Sequence, residues 1–91
     1  MADVVITLKI MPESPDTDLA KIAEQAKTLI TADGGHVHST ENKPVAFGLE
    51  AIHIVFSKDE AKGSSDELEE AVAKISHVNS VDVIDVRRAF G

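Results

Sequence analysis

Two stretches of this chain carry apolar residues at helical spacing, and each carries a single stripe. In the first, Leu19, Ile22, Ala23, Ala26, Leu29 and Ile30 recur at intervals of three and four; in the second, Leu68, Ala71, Val72 and Ile75 do so, with Glu69, Glu70 and Lys74 facing water. A helix with one stripe buries one face, so both helices need a platform to pack on. The segments around them supply it. Val4, Ile6, Leu8 and Ile10 alternate with Val5, Thr7 and Lys9, and Ile52, Ile54 and Phe56 alternate with Ala51, His53 and Val55, the period of strands with one apolar face. His36 to Glu41 reads as a weakly apolar strand. Val78 to Val86 reads as a β-branched strand whose pattern slips at Ile84-Asp85, where a bulge or an exit from the sheet is expected.

Punctuation residues separate these segments. Met11-Pro12-Glu13-Ser14-Pro15 breaks the first strand, Asp16 or Thr17 suits the N-cap of the first helix, and that helix ends near Ala32 before the Asp33-Gly34-Gly35 turn. Ser57 to Gly63 reads as a polar connection, Ser64 or Ser65 as the start of a second helix reaching about Ser76, with Ser64 and Glu67 at capping-box spacing. The order β-α-β-β-α-β, with two singly striped helices, predicts an α+β fold. Its natural form is the ferredoxin-like α/β sandwich, a four-stranded antiparallel sheet with two helices on one face.

A length of 91 residues bounds the chain to a single domain, 1–91, with one core. The absence of cysteine excludes disulfides, thiol catalysis and iron–sulfur ligation, and fits a reducing cytosol. Met1-Ala2-Asp3 has no basic region, and Thr7 and Lys9 interrupt the apolar run that follows, so neither a signal peptide nor a membrane span is expected and a cytoplasmic location is. The formal net charge of −7 repels phosphate backbones and attracts basic protein surfaces, which argues against nucleic acid as a direct partner.

Because this topology hosts unrelated functions, function has to be read from sites. An RNA-recognition module needs aromatics on the central strands, where this chain offers Val5, Thr7, His53 and Val55. A phosphate-handling loop after the first strand wants glycine or arginine, and here it holds Glu13, Asp16 and Asp18. His36 and His38 lie two apart on one strand face; spacing fixes no third ligand, but His53 on the neighbouring strand is within the reach of a sheet pairing. That set reads either as a zinc or copper site in a small regulatory domain or as ordinary exposed strand histidines. The serines sit in turns and caps, and no catalytic nucleophile or cofactor site declares itself.

An interaction module is the remaining class. One of only three aromatic residues, Phe47, stands in Lys43-Pro44-Val45-Ala46-Phe47-Gly48-Leu49. Pro44 fixes φ and Gly48 permits a positive one, so Phe47 sits on a shaped loop, either folded under it as a core plug or turned out to a partner. At the other extreme the acidic chain finishes with Asp85-Val86-Arg87-Arg88-Ala89-Phe90-Gly91. Arg87 and Arg88 either pair with the protein's own carboxylates or form a reaching tail.

Taken together, Met11-Pro12-Glu13-Ser14-Pro15, Asp18-Leu19, Pro44-Val45-Ala46-Phe47-Gly48-Leu49, Leu68-Glu69-Glu70 and Val78-Asn79-Ser80-Val81-Asp82-Val83 resemble the archaeal translation elongation factor 1-beta family over essentially the whole chain. That family matches the catalytic C-terminal domain of a larger eukaryotic subunit. The resemblance implies a ferredoxin-like sandwich that promotes exchange of GDP for GTP on elongation factor 1-alpha, the GTPase that delivers aminoacyl-tRNA, with no covalent chemistry of its own. It implies that Phe47, shaped by Pro44 and Gly48, packs on the GTPase, and that Arg88 reaches toward the magnesium beside the nucleotide. Two departures stand out: Ala89, Phe90 and Gly91 follow Arg88 where the family's basic residue lies nearer the end, making Arg87 a second candidate, and Glu50 takes a position often held by lysine.

Overall fold

A computed structural model of the protein describes residues 3–59 and 66–89, apart from the side chains of Phe47 and Ala89. The elements are β1 (Asp3–Pro12), α1 (Leu19–Ala32), β2 (His36–Pro44), a 3-10 turn (Ala46–Gly48), β3 (Glu50–Asp59), α2 (Asp66–Ala73) and β4 (Val78–Ala89). The strands form one sheet in the order β2-β3-β1-β4, and every neighbouring pair is antiparallel. This is the expected ferredoxin-like sandwich.

The register explains the core. Ile6 pairs with Phe56, Leu8 with Ile54 and Ile10 with Ile52, so these six side chains share one face of the two central strands. On that face they pack against Ile22, Ala26 and Ile30 of α1 and Leu68 and Val72 of α2. Each helix buries only its stripe, as the spacing requires. Both edge strands are less covered, and β2 has no buried residue.

Several boundaries differ from the sequence expectation, each for a local reason. The N-cap of α1 is Asp18, whose carboxylate accepts the Lys21 N–H at 3.3 Å, rather than Asp16 or Thr17. A preceding turn, closed by the Thr17 N–H on the Ser14 carbonyl at 3.2 Å, delays the helix. β3 continues through Ser57, Lys58 and Asp59, which read as polar connection. Lys58 is buried there because its Nζ meets the Asp33 carboxylate at 3.0 Å, below the end of α1. Gly35 follows that helix end so closely that a Cβ on it would stand 2.8 Å from Ile30 Cγ2.

β2 extends beyond Glu41 to Pro44, and β4 beyond Val86 to Ala89, because both stay in register with a central neighbour. The slip read at Ile84-Asp85 is a bulge: Thr7 pairs with Asp85 and Leu8 with Val83, leaving Ile84 as the extra residue. α2 ends at Ala73, short of Ser76, and turns into β4 through His77 at φ +72°. Ser64 and Ser65, read as the start of this helix, lie outside the described residues. Among the described residues no helix is long and apolar enough to cross a membrane.

Candidate partner-binding site

β2 and β3 form a hairpin whose tip is Val45 to Leu49. Pro44 pairs opposite Glu50 at its base, the Val45 N–H donates to the Leu49 carbonyl at 2.8 Å, and the Leu49 N–H donates to the Ala46 carbonyl at 3.3 Å. Gly48 has φ +74°, and apart from its two chain neighbours no atom lies within 4 Å of where its Cβ would be. Glycine is therefore required by the backbone angle and not by crowding. The backbone of Phe47 is held in the 3-10 turn, while its side chain, and with it the choice between plug and partner contact, lies outside the described part of the molecule.

The loops after β1 and after α2 share this end of the sheet. The Glu13 N–H donates to the His77 carbonyl at 2.9 Å, and Glu13 Oε1 lies 3.5 Å from His77 Nδ1. His77 sits in the turn between α2 and β4. Its left-handed backbone, which histidine tolerates better than β-branched residues do, sets the entry angle of β4.

Arg87 and Arg88 stand at the other end. Arg88 pairs with Val4 and Arg87 with Val5, so successive side chains leave β4 on opposite faces. Arg87 lies on the open face, its Nε 2.9 Å from Asp85 Oδ2. Arg88 lies on the helix face in a row with Val4 and Lys58, and both arginines are exposed. Phe90 and Gly91 lie outside the described residues.

The structure thus groups Pro44, the Phe47 backbone and Gly48 at one corner, and Arg87 with Arg88 at the diagonal corner. Eight residues of strand rise and three strand spacings separate the corners, roughly 30 Å, within a molecule whose longest extent is 41 Å.

The histidine set does not converge. His36 pairs with Ser57, and His53 lies four residues further along β3, about 13 Å away by strand rise. His38 sits at a register shift in β2, its Nε2 hydrogen-bonded with Ser57 Oγ at 2.9 Å. Among the described residues no group of three or more His, Asp or Glu is placed to hold a metal ion. His53 belongs instead to a row across the open face, between Lys9 on β1 and Glu41 on β2. Partial burial, then the charges of Lys43 and Lys9, push its pKa below the ordinary imidazole value, with Glu41 opposing.

A sequence model described as the EF-1 guanine nucleotide exchange domain matches residues 5–89. Similar proteins named elongation factor 1-beta include one from Methanobrevibacter smithii, 42% identical over 97% of this chain and 98% of its own length. Another, from Methanosarcina barkeri, is 43% identical over 97% of this chain and 99% of its own. Among solved structures, the ACT domain of a GTP pyrophosphokinase from Chlorobium tepidum superposes with TM-score 0.60 at 17% identity, covering 90% of this chain and 99% of its own. The designed protein Foldit4 superposes with TM-score 0.62 at 16% identity, covering 98% of each chain. These structural likenesses carry the fold alone. With the exchange-domain match spanning both corners of the sheet, the chain belongs to the elongation factor 1-beta family of translation guanine nucleotide exchange factors.

Proposed function

We propose that this chain promotes release of GDP from elongation factor 1-alpha through two separated contacts, one at the hairpin tip and one at Arg88. The observation that carries the reading is their diagonal placement. Groups roughly 30 Å apart do not enter one nucleotide pocket together, so each meets its own part of the GTPase. Phe47, on the backbone that Pro44 and Gly48 shape, is the anchor, and Arg88 is the group that reaches the magnesium site. Arg87 is the weaker candidate, because it leaves the face of β4 opposite to that of Arg88.

Magnesium bridges nucleotide oxygens and protein ligands, so a guanidinium brought beside it competes for the same negative charge and loosens the metal that holds GDP. No bond is made or broken by this chain in such a scheme, and residues 1–91 act as one exchange domain. Linkage makes the effect mutual: nucleotide weakens binding of the exchange factor by the same factor, about 1.4 kcal/mol for each tenfold.

Release of a fluorescent GDP from the cognate elongation factor 1-alpha tests the reading. Arg88→Ala should lower the maximal rate by about tenfold to a hundredfold, the range expected for a lost charged contact, with the circular dichroism spectrum unchanged. An Arg88→Ala protein as fast as the parent rules the assignment out.

A further inference from the structure

We infer that Asp33-Gly34 is a modification site, the place where this chain converts to isoaspartate, and that the buried Lys58 is the lock that holds the conversion back. An aspartate followed by glycine is open to this chemistry because glycine has no side chain to shield its nitrogen from the preceding carboxyl group. Asp33-Gly34 is the one Asp-Gly in the sequence, and Asn-Gly does not occur. The Gly34 nitrogen attacks Asp33 Cγ and an N–Cγ bond forms, while the amide proton, one carboxyl oxygen and a proton from solvent leave as water. Water then adds to the cyclic imide and breaks one of its two N–C bonds. Breaking N–Cγ restores aspartate; breaking the bond to the backbone carbonyl carbon leaves isoaspartate.

The fold opposes the first step. Asp33 Oδ2 is held 3.0 Å from Lys58 Nζ, and the Gly34 N–H, the nucleophile, donates to the Thr31 carbonyl at 3.0 Å. Asp33 has ψ −1°, which eclipses the Gly34 nitrogen with Asp33's own nitrogen and turns it away from the side chain it would attack. The backbone constraints belong to the last turn of α1, and helix ends open at little cost. The Asp33 side chain is 37% exposed, so burial gives it no protection. Lys58 is different: it stands in β3, in register with Val4, with its side chain 2% exposed. The ion pair therefore ties a frayable helix end to the sheet.

The product also fits badly. Isoaspartate routes the chain through Cβ and Cγ and adds one atom to the backbone just before Gly35. A Cβ on Gly35 would already stand 2.8 Å from Ile30 Cγ2 and 3.2 Å from the carbonyl oxygens of Ile30 and Ser57. The remaining carboxylate, attached directly to Cα, reaches less far toward Lys58, whose buried ammonium then loses this partner.

The test is storage at physiological temperature and neutral pH, followed by peptide fragmentation that places isoaspartate at single residues. In the urea-unfolded chain Asp33 should convert ahead of every other aspartate and asparagine, and in the folded parent more slowly. Lys58→Met, with its circular dichroism spectrum unchanged, should convert about tenfold faster than the folded parent, the factor that a lost charged hydrogen bond gives. Lys58→Gln serves as the second variant. Asp33→Glu should abolish the signal, because the larger ring that glutamate must close forms far more slowly. Folded lysine variants that convert at the parental rate remove the lock, and an unfolded chain that is modified elsewhere first removes the site. If neither lysine variant folds, hydrogen exchange of the Gly34 amide in the parent decides. Exchange as slow as that of the β3 core amides supports the tie to the sheet, and exchange at the rate of a frayed helix end overturns it.

Discussion

The hairpin corner and the arginine corner, each of which presents a group to the GTPase in the proposed reading, are built by opposite physical means. At the hairpin the work is done by backbone: a proline at the base of the loop, two short-range hydrogen bonds, and a glycine at φ +74° that holds a 3-10 turn in place. At the arginine corner the backbone is ordinary strand in register with β1, and what matters is which face a cation leaves from and what covers it. The first kind of site is sensitive to conformation and the second to charge. Among the described side chains neither corner contributes to the hydrophobic core, so the proposed contacts and folding stability can be tested apart.

That separation is most sharply tested by combining the two corners. Phe47→Ala should slow exchange by about tenfold if one buried aromatic contact is lost, and Arg88→Ala by tenfold or more. Sites this far apart, without shared partners, contribute additively in free energy. The double variant should therefore lose the product of the two factors in stimulated GDP release. A double variant no slower than Arg88→Ala alone would show that the corners act as one unit and would break the comparison.

Stability effects come next in size, and they divide the corners as well. Lys58 sits beside Val4 in the same row as Arg88, with its side chain 2% exposed, while its partner Asp33 is 37% exposed. Removing the carboxylate leaves a buried ammonium without that partner, whereas removing the ammonium leaves a carboxylate that water can reach. Asp33→Ala should thus cost about 2–3 kcal/mol, and Lys58→Met clearly less, by urea denaturation. Equal losses would mean that burial of Lys58 is not what makes the pair matter. At the hairpin, Gly48→Val places a β-branched residue at positive φ and should cost about 1–2 kcal/mol, with Gly48→Asn recovering most of it. Open space around the Cβ position means that this cost is backbone strain alone.

How much of this was legible from the chain depends on how far the cause lies from the residue. The alternation of Val4 to Ile10 and Ile52 to Phe56, the single helical stripes and the slip at Ile84 are signals within a few residues, and each appears in the fold as read. Lys58 is the counterexample: its burial depends on Asp33, 25 positions away, which no local pattern shows. The sequence shows β2 only to Glu41, because an edge strand with Val37 as its one apolar residue packed on the core has no hydrophobic period to read. The candidate residues were likewise visible one by one, as a ring on a shaped loop and a pair of cations. Their diagonal separation comes only from strand order and register.

The smallest expected effect falls at the hairpin half of the open face, where His53 lies between Lys9 and Glu41. Burial, Lys43 and Lys9 lower its folded pKa below the ordinary 6.5, so the fold favours the neutral imidazole and the unfolded chain binds the extra proton more readily. Its contribution to stability is then fully present above about pH 6.5 and is lost as pH falls toward the lowered folded value. His53→Gln should flatten that part of the stability profile while leaving the steeper carboxylate-driven loss at lower pH. Since Lys43 adjoins Pro44 at the base of the hairpin, Lys43→Gln should move the His53 imidazole titration upward in an NMR experiment, whereas Arg87→Ala at the far corner should leave it in place. A shift caused equally by both substitutions would mean that the two corners share one electrostatic field across the sheet, contrary to the screening expected over such a distance in physiological salt.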